Sequence, residues 1–568
     1  SMNVKTLSLT ALGSLILLTG CDQLKDLSYS TTPNPLEMHG DSVAISVSVT
    51  IPPKGIKKKV TAEMTPKLGD ISLSSWLIHG EKVEGNGQSI SFKPGGTATF
   101  TDVVAYHPSM ENTQLVLTGK IMKGGKVKDP LPEATLADAT IITPLLVQRE
   151  FQMMFQGVTL QRETAKSVTA EINYLKGQSE VRANELKEKD ITDLIAWIDS
   201  AQRNPKITIT GIDIKGFASP DGEESKNGTL SEARYRTARA ALITLFKAKK
   251  FTNFIDSSSY ATEGKGEDFE GFKEQLNRTK SISDSEKNLL LRVITMNDNS
   301  DQREQQMKDL GKVYQELERE VFPSIRRAVI TVSYSEKGPS DEEYLSMATA
   351  RDARLTAEEW VFIAHNLVKN PKEKASVVEA GLKAFASEAK LLNNAGALAY
   401  QAQNYAAAKD YFQKSSKISD NDAVKNNIAG IYMMDGDRAS AKATLDKVKS
   451  KGTETKYNMG ILSVLDGKYD AAVTFFGSAP SYNSALAYVL NGKLSEATQK
   501  LEASDDKNSA KGLYLKAIIA ARSGEGVESV VKHLNAALAK DASLKTKAAN
   551  DREFVKFAND TNFSAAIK

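Results

Sequence analysis

Residues 207–246 read ITITGIDIKGFASPDGEESKNGTLSEARYRTARAALITLF. Ile207, Ile209, Ile212 and Ile214 alternate with polar neighbours around Gly211, the pattern of a strand with one covered face. Ser219-Pro220-Asp221-Gly222 is turn chemistry, since proline presets one dihedral and glycine accepts a positive one. The residues after this turn predict a helix, with Thr229 or Ser231 as N-cap and Leu230, Ala233, Ala238, Ala241, Leu242 and Leu245 as its apolar stripe.

Gly216, Asn227, Leu230, Ser231 and Arg234 fall at the motif spacing of the OmpA-like peptidoglycan-binding domain, and the segment resembles that family. The resemblance implies an α/β fold in which an aspartate and an arginine clamp the amine and carboxylate of the diamino acid in the peptidoglycan stem peptide. Arg234 stands at the arginine position and is expected at the start of its helix, where free N–H groups add to the attraction for an anion. Ser219 occupies the aspartate position; of the nearby acids Asp221, Glu223 and Glu224, one is expected to take the amine. Ser219, Asp221, Asn227 and Arg234 are therefore the candidate peptidoglycan- or anion-binding set. The serine also motivates a second reading, a scaffold that no longer binds peptidoglycan.

Working outward, Glu171 to Val181 reads as the first strand of this module and Arg182 to Ser200 as a helix. Tyr260 to Asp268 resembles the family's strand and GxGE turn, and Arg326 to Val332 its closing arginine pair and strand. A helical insert of about 269–322 lies between them. The module is placed at 142–336. Glu267 and Asp268 are adjacent at a strand end and point to opposite faces, which argues against an acid–base pair.

The amino end has a different logic. An apolar run, Leu7 to Leu18, is too short for a permanent bilayer span and ends in Leu18-Thr19-Gly20-Cys21. This resembles a bacterial lipobox: residues 1–20 are expected to be a signal peptide and Cys21, the single cysteine, the acylated terminus of the mature chain. Residues 21–40 are expected to be a flexible leash. From 41 to 141, Val43, Ile45, Val47, Val49 and Ile51 alternate with small polar residues, and further β-prone runs are split by Gly- and Pro-rich turns, which predicts an all-β sandwich. His39, His79 and His107 have no second ligand at metal spacing.

Beyond Pro339-Ser340 alanine becomes abundant and a repeat emerges. Asn393-Asn394 with Ala397 and Tyr400 overlays Asn426-Asn427 with Ala429 and Tyr432; Tyr457-Asn458, Tyr482-Asn483 and Leu513-Tyr514 continue the series. The spacing approaches the ~34-residue period of tetratricopeptide repeats, which 341–568 resembles, with a capping helix pair from Lys540. Such an all-α solenoid implies a concave protein-binding surface.

The fold class is thus multidomain: an all-β sandwich, an α/β OmpA-like domain with a helical insert, and an all-α solenoid. Net charge is +3 over 568 residues, which predicts no polybasic surface for nucleic acid or acidic lipid. No Ser-His-Asp order, metal cluster or carboxylate pair points to an enzyme, and no cofactor is expected. The module set resembles an outer-membrane lipoprotein of Bacteroidota. That implies a periplasmic adaptor on the outer membrane that joins a membrane complex to protein partners and to peptidoglycan. The β-barrel assembly machinery is favoured as that complex, with a type IX secretion accessory role as the alternative.

Overall fold

A computed structural model describes residues 15–17 and 22–568. The expected acylation at Cys21 and most of the expected leader lie outside the described residues. Two compact units form: the chain up to Gly157 joins Ala364–Lys568, and Val158–Ile363 stands between them in sequence.

In the first unit, the alternation at 43–51 forms the strand Ser42–Ile51, whose Val43, Ile45, Val47, Val49 and Ile51 are buried. It is flanked by Leu27–Thr32 on one edge and by Gly96–Ala105 on the other. A second sheet runs in the order Lys126–Ala139, Thr113–Lys123, Val60–Leu68, Trp76–Gly80, Gln88–Ile90. The covered faces of both sheets share one apolar core. The leash expected at 21–40 is instead part of this body: Leu27, Tyr29 and Leu36 are buried and Leu27–Thr32 pairs with Ser42–Ile51. Leu27 and Tyr29 alternate with serines, a short covered face masked by the Pro- and Gly-rich residues after it. Lys126–Ala139 is a full strand despite Pro130 and Pro132. It lies at a sheet edge, where a missing N–H is tolerated.

Ala364–Lys568 is all helical. Five hairpins have first helices beginning at Ala389, Asp422, Thr453, Tyr482 and Ala510, so the repeat shortens along the array. Small residues let the paired helices meet: a Cβ on Gly396 would lie 2.5 Å from the Phe412 ring, and one on Gly460 2.7 Å from that of Phe476. The sandwich belongs to the same body. Arg522 bridges Glu37 at 2.8 Å and Glu553 at 2.5 Å, and Asp41 pairs with Arg438.

Val158–Ile363 holds a four-stranded sheet in the order Glu163–Asn173, Arg327–Lys337, Ile207–Ala218, Tyr260–Glu267, the last pair parallel and the others antiparallel. The first strand begins earlier than Glu171, because its polar, exposed first half is held by pairing with Ser333–Lys337 rather than by a covered face. Helix Glu224–Ala248 packs on the sheet through two glycines: a Cβ on Gly216 would sit 1.9 Å from the Ser231 carbonyl, and one on Gly264 2.7 Å from the Glu232 side chain. The insert is helical, as expected, and has its own core around Phe272, Leu290 and Phe322.

The limits of this unit differ from 142–336. Residues 142–157 go with the array. Helices Asp341–Thr349 and Ala357–Phe362 stay here, held by the Arg162 guanidinium 5.4 Å from the Tyr344 ring and 5.1 Å from that of Phe362.

Candidate functional site

Two places are built to hold another group. The first is the groove of the helical array. Its first helices present Asn394, Asn427, Asn458 and Asn483 inward, all at most 2% exposed. A buried carboxamide needs both a donor and an acceptor. Each of these four finds both on a single residue of the segment 147–157.

Asn483 accepts the Gln148 N–H at 2.8 Å and donates to its carbonyl at 2.9 Å. Asn458 does the same for Gln152 at 2.7 and 2.9 Å, Asn427 for Met154 at 2.7 and 2.9 Å, and Asn394 for Gln156 at 2.8 and 2.8 Å. Asn426 and Asn393 add bonds to the Gln152 and Met154 carbonyls, and Tyr400 Oη accepts the Phe151 N–H at 2.9 Å. The carboxamides imitate a neighbouring β-strand. Between them, Phe151 and Met153 are buried in the array core and Phe155 packs against it. Gly430 admits Met153, whose Cε would lie 2.7 Å from an added Cβ. This strap runs from the later hairpins back to the first.

The open concave surface expected of 341–568 is therefore filled by the chain itself. In the sequence the asparagines mark the repeat, while their task depends on partners more than 230 residues away. The available signal was a pair of patterns: an amide at the same point of successive apolar helices, and Phe151, Met153 and Phe155 alternating with Gln152, Met154 and Gln156.

The second place is a cavity of about 500 Å³ beside the 219–222 turn, lined by Lys176, Ser219, Asp221, Asn227, Leu230 and Arg234 among others. All four candidate residues meet here, but two of the expected roles change. The helix starts at Glu224 with Glu223 at the N-cap, so Arg234 lies about three turns inside it, away from any free N–H. Ser231, expected as an N-cap, bonds the Gly228 carbonyl and accepts the Gly266 N–H at 2.9 Å. The Ser-Pro-Asp-Gly turn leads straight into the helix because Asn227 ties it down, its Nδ2 donating to the Ser219 and Gly222 carbonyls and to Glu267 Oε1.

Arg234 is 1% exposed and donates to the carbonyls of Phe217 at 2.7 Å, Gln178 at 3.0 Å and Leu175 at 3.2 Å, with its guanidinium 5.3 Å from the Tyr174 ring. Burial pulls its pKa down to about 10, so it remains a cation at neutral pH.

Asp221, expected to meet an amine, accepts from Arg326 at 2.6 Å and from the Ser219 hydroxyl, with Lys176 Nζ at 3.3 Å. Burial pushes its carboxyl up, but Ser219, Arg326 and Lys176 together hold it below its ordinary value. Arg326 also donates to Ser219 Oγ at 3.2 Å, so serine and aspartate together terminate this arginine. Glu223 pairs with Lys226 at 3.1 Å at the surface. Glu267 and Asp268 take different partners: the first meets Asn227, and the second caps the next helix and binds Arg327 at 2.9 Å. The cavity thus combines a buried guanidinium bound to three carbonyls with a neutralised carboxylate and a half-exposed amine, Lys176.

In the pairing and spacing of its helices, the carboxyl-terminal region resembles a tetratricopeptide solenoid. No family model matches the chain, and no curated protein does. Among solved structures, a tetratricopeptide repeat protein from Parabacteroides merdae is similar at 14% identity, covering 38% of this chain and 90% of its own, with a TM-score of 0.27. PilW, a type IV pilus biogenesis factor, is similar at 14% identity over 40% of this chain and 96% of its own, with a TM-score of 0.26. YrrB, described as a TPR protein with an unusual peptide-binding site, is similar at 16% identity over 36% of this chain and 94% of its own, with a TM-score of 0.18.

Proposed function

We propose that this chain is a non-enzymatic scaffold: an outer-membrane lipoprotein tethered through Cys21 that joins a membrane complex, foremost the β-barrel assembly machinery, to protein partners in the periplasm. The observation that carries the reading is the asparagine ladder. A helical array that grips an extended backbone is interaction machinery, and here it binds the sandwich and the solenoid into one body whose outer faces serve partners. The lipobox-like Leu18-Thr19-Gly20-Cys21 supports the tether. Crosslinking in native membranes followed by mass spectrometry is expected to recover an outer-membrane barrel complex. A lone monomer, or the barrel of a type IX secretion apparatus, overturns the assignment.

The 158–363 unit is read as the OmpA-like module, with its cavity turned to the cell wall. A second reading, in which wall binding has been lost, is favoured by one observation: Asp221 is already matched by Arg326 and Lys176. Sedimentation of the protein with purified diaminopimelate-containing sacculi separates the two. Retention that disappears in Lys176→Ala keeps the wall-binding reading, and absence of retention in both proteins leaves the scaffold alone.

A further inference from the structure

A net charge of +3 over 568 residues conceals an uneven distribution. Leu15–Leu17 pairs with Leu27–Tyr29 at the edge of the first sheet, and from residue 22 the chain runs beside one bend: Leu24 bridges Ile56, the Lys25 N–H donates to the Gly55 carbonyl at 2.8 Å, and the Lys57 N–H donates to the Gln23 carbonyl at 3.1 Å. Lys57, Lys58 and Lys59 come next, all exposed. Val60 then pairs with Lys123 at the end of the long hairpin, and Lys123 pairs with Lys126 across the Gly124-Gly125 turn. Lys54 joins from the same bend, its N–H on the Phe92 carbonyl at 2.6 Å. Glu81 offsets Lys58 at 3.0 Å, and Asp22 reaches Lys25 at 3.5 Å. Val127, 57% exposed, stands at the hairpin tip among these cations. Backbone pairing thus gathers lysines from three separate segments beside residues 22–25, contrary to the expectation drawn from net charge.

We propose that this end of the sandwich is a membrane-facing surface that binds anionic phospholipid headgroups. Its biological setting rests on the tether at Cys21, but the binding itself does not. Cations help only within about a Debye length of the charged surface, roughly 8–10 Å, so lysines at the point of attachment count and those elsewhere do not. Each contributes about fivefold in partitioning at that distance. A lipid anchor and a basic patch together are the two signals that stable attachment takes.

The test uses the chain from residue 21 onward carrying Cys21→Ser, so that neither an acyl chain nor the apolar run Leu7 to Leu18 contributes, sedimented with vesicles of phosphatidylcholine alone or mixed with phosphatidylglycerol. Binding is expected only to the anionic vesicles and to fall steeply with salt. The triple variant Lys57→Gln, Lys59→Gln, Lys126→Gln is expected to lose on the order of a hundredfold in partitioning. Lys372→Gln, Lys383→Gln, Lys493→Gln in the array is expected to stay within about twofold. Equal partitioning to both vesicle types, an unchanged triple variant, or equally tight lysine-dependent binding to duplex DNA overturns the proposal. Mass spectrometry of the wild-type amino-terminal peptide tests the tether separately: an unmodified Cys21 thiol removes that reading and leaves the vesicle result standing.

Discussion

The groove of the array and the cavity beside Arg234 use the same device to opposite ends. In the groove, side-chain amides meet the backbone of a distant segment, which takes the place a ligand would occupy. In the cavity, a guanidinium meets three carbonyls of its own unit, yet about 500 Å³ stays open next to it. A polar residue in a recognisable motif therefore does not reveal whether its hydrogen bonds are available to a ligand. The count of partners around it does.

The largest expected effect tests the groove. Asn427→Ala with Asn458→Ala leaves the Gln152 and Met154 N–H groups without their acceptors and should cost about 3–5 kcal/mol, read by denaturant unfolding of the full chain. Hydrogen exchange should show protection lost at those two amides first. Next comes Arg234→Leu, which removes a buried cation together with its bonds to three carbonyls and should destabilise by about 2–4 kcal/mol. If that variant keeps its stability and loses only sacculus retention, Arg234 is a ligand residue and the contrast between the two regions fails.

Acid provides the third test, because the two regions respond with opposite sign. Asp551, near the end of the array, is pushed up to about 6 by burial from an ordinary 3.8, with Glu553 adding to the rise. A raised carboxyl binds its proton more tightly in the folded state, so stability from this group is full below about pH 4 and is lost as pH rises toward 6. Asp551→Asn should remove that slope and stabilise the array at pH 7 by on the order of 2–3 kcal/mol, measured as a thermal midpoint against pH. Asp221 is held low, so its contribution is present above the ordinary carboxylate value and disappears only as pH falls through its depressed folded value. The smallest effect belongs to Lys176→Ala: a half-exposed amine should change stability by at most about 1 kcal/mol while opening the cavity mouth.

Periodicity accounts for most of what was legible in the sequence. The Ser42–Ile51 strand, the Ile207–Ala218 strand and the helical hairpins all carry their covered faces in plain order. The insert was visible as extra length between Gly266 and Arg326. Missed were the features that depend on distant partners: the strand at Leu27–Thr32, which needs Ser42–Ile51 beside it, and the strap, whose neighbours lie more than 230 residues away. In the cavity, the residues were found and their task was misread. Asp221 needed Arg326, and the helix start at Glu224 moved Arg234 away from the free end that would have drawn an anion.

Exported amino end first, residues 147–157 reach the folding compartment long before Ala389 begins the first hairpin, and the whole of Val158–Ile363 follows in the interval. The helices are therefore born into the presence of the template around which they close, while the intervening unit must already allow both ends of a long loop to come together. Loop-closure entropy rises only slowly with length, so the cost of this arrangement falls on the rate of assembly more than on the final stability. A chain interrupted before Asn483 would have Gln148 waiting with nothing to receive it.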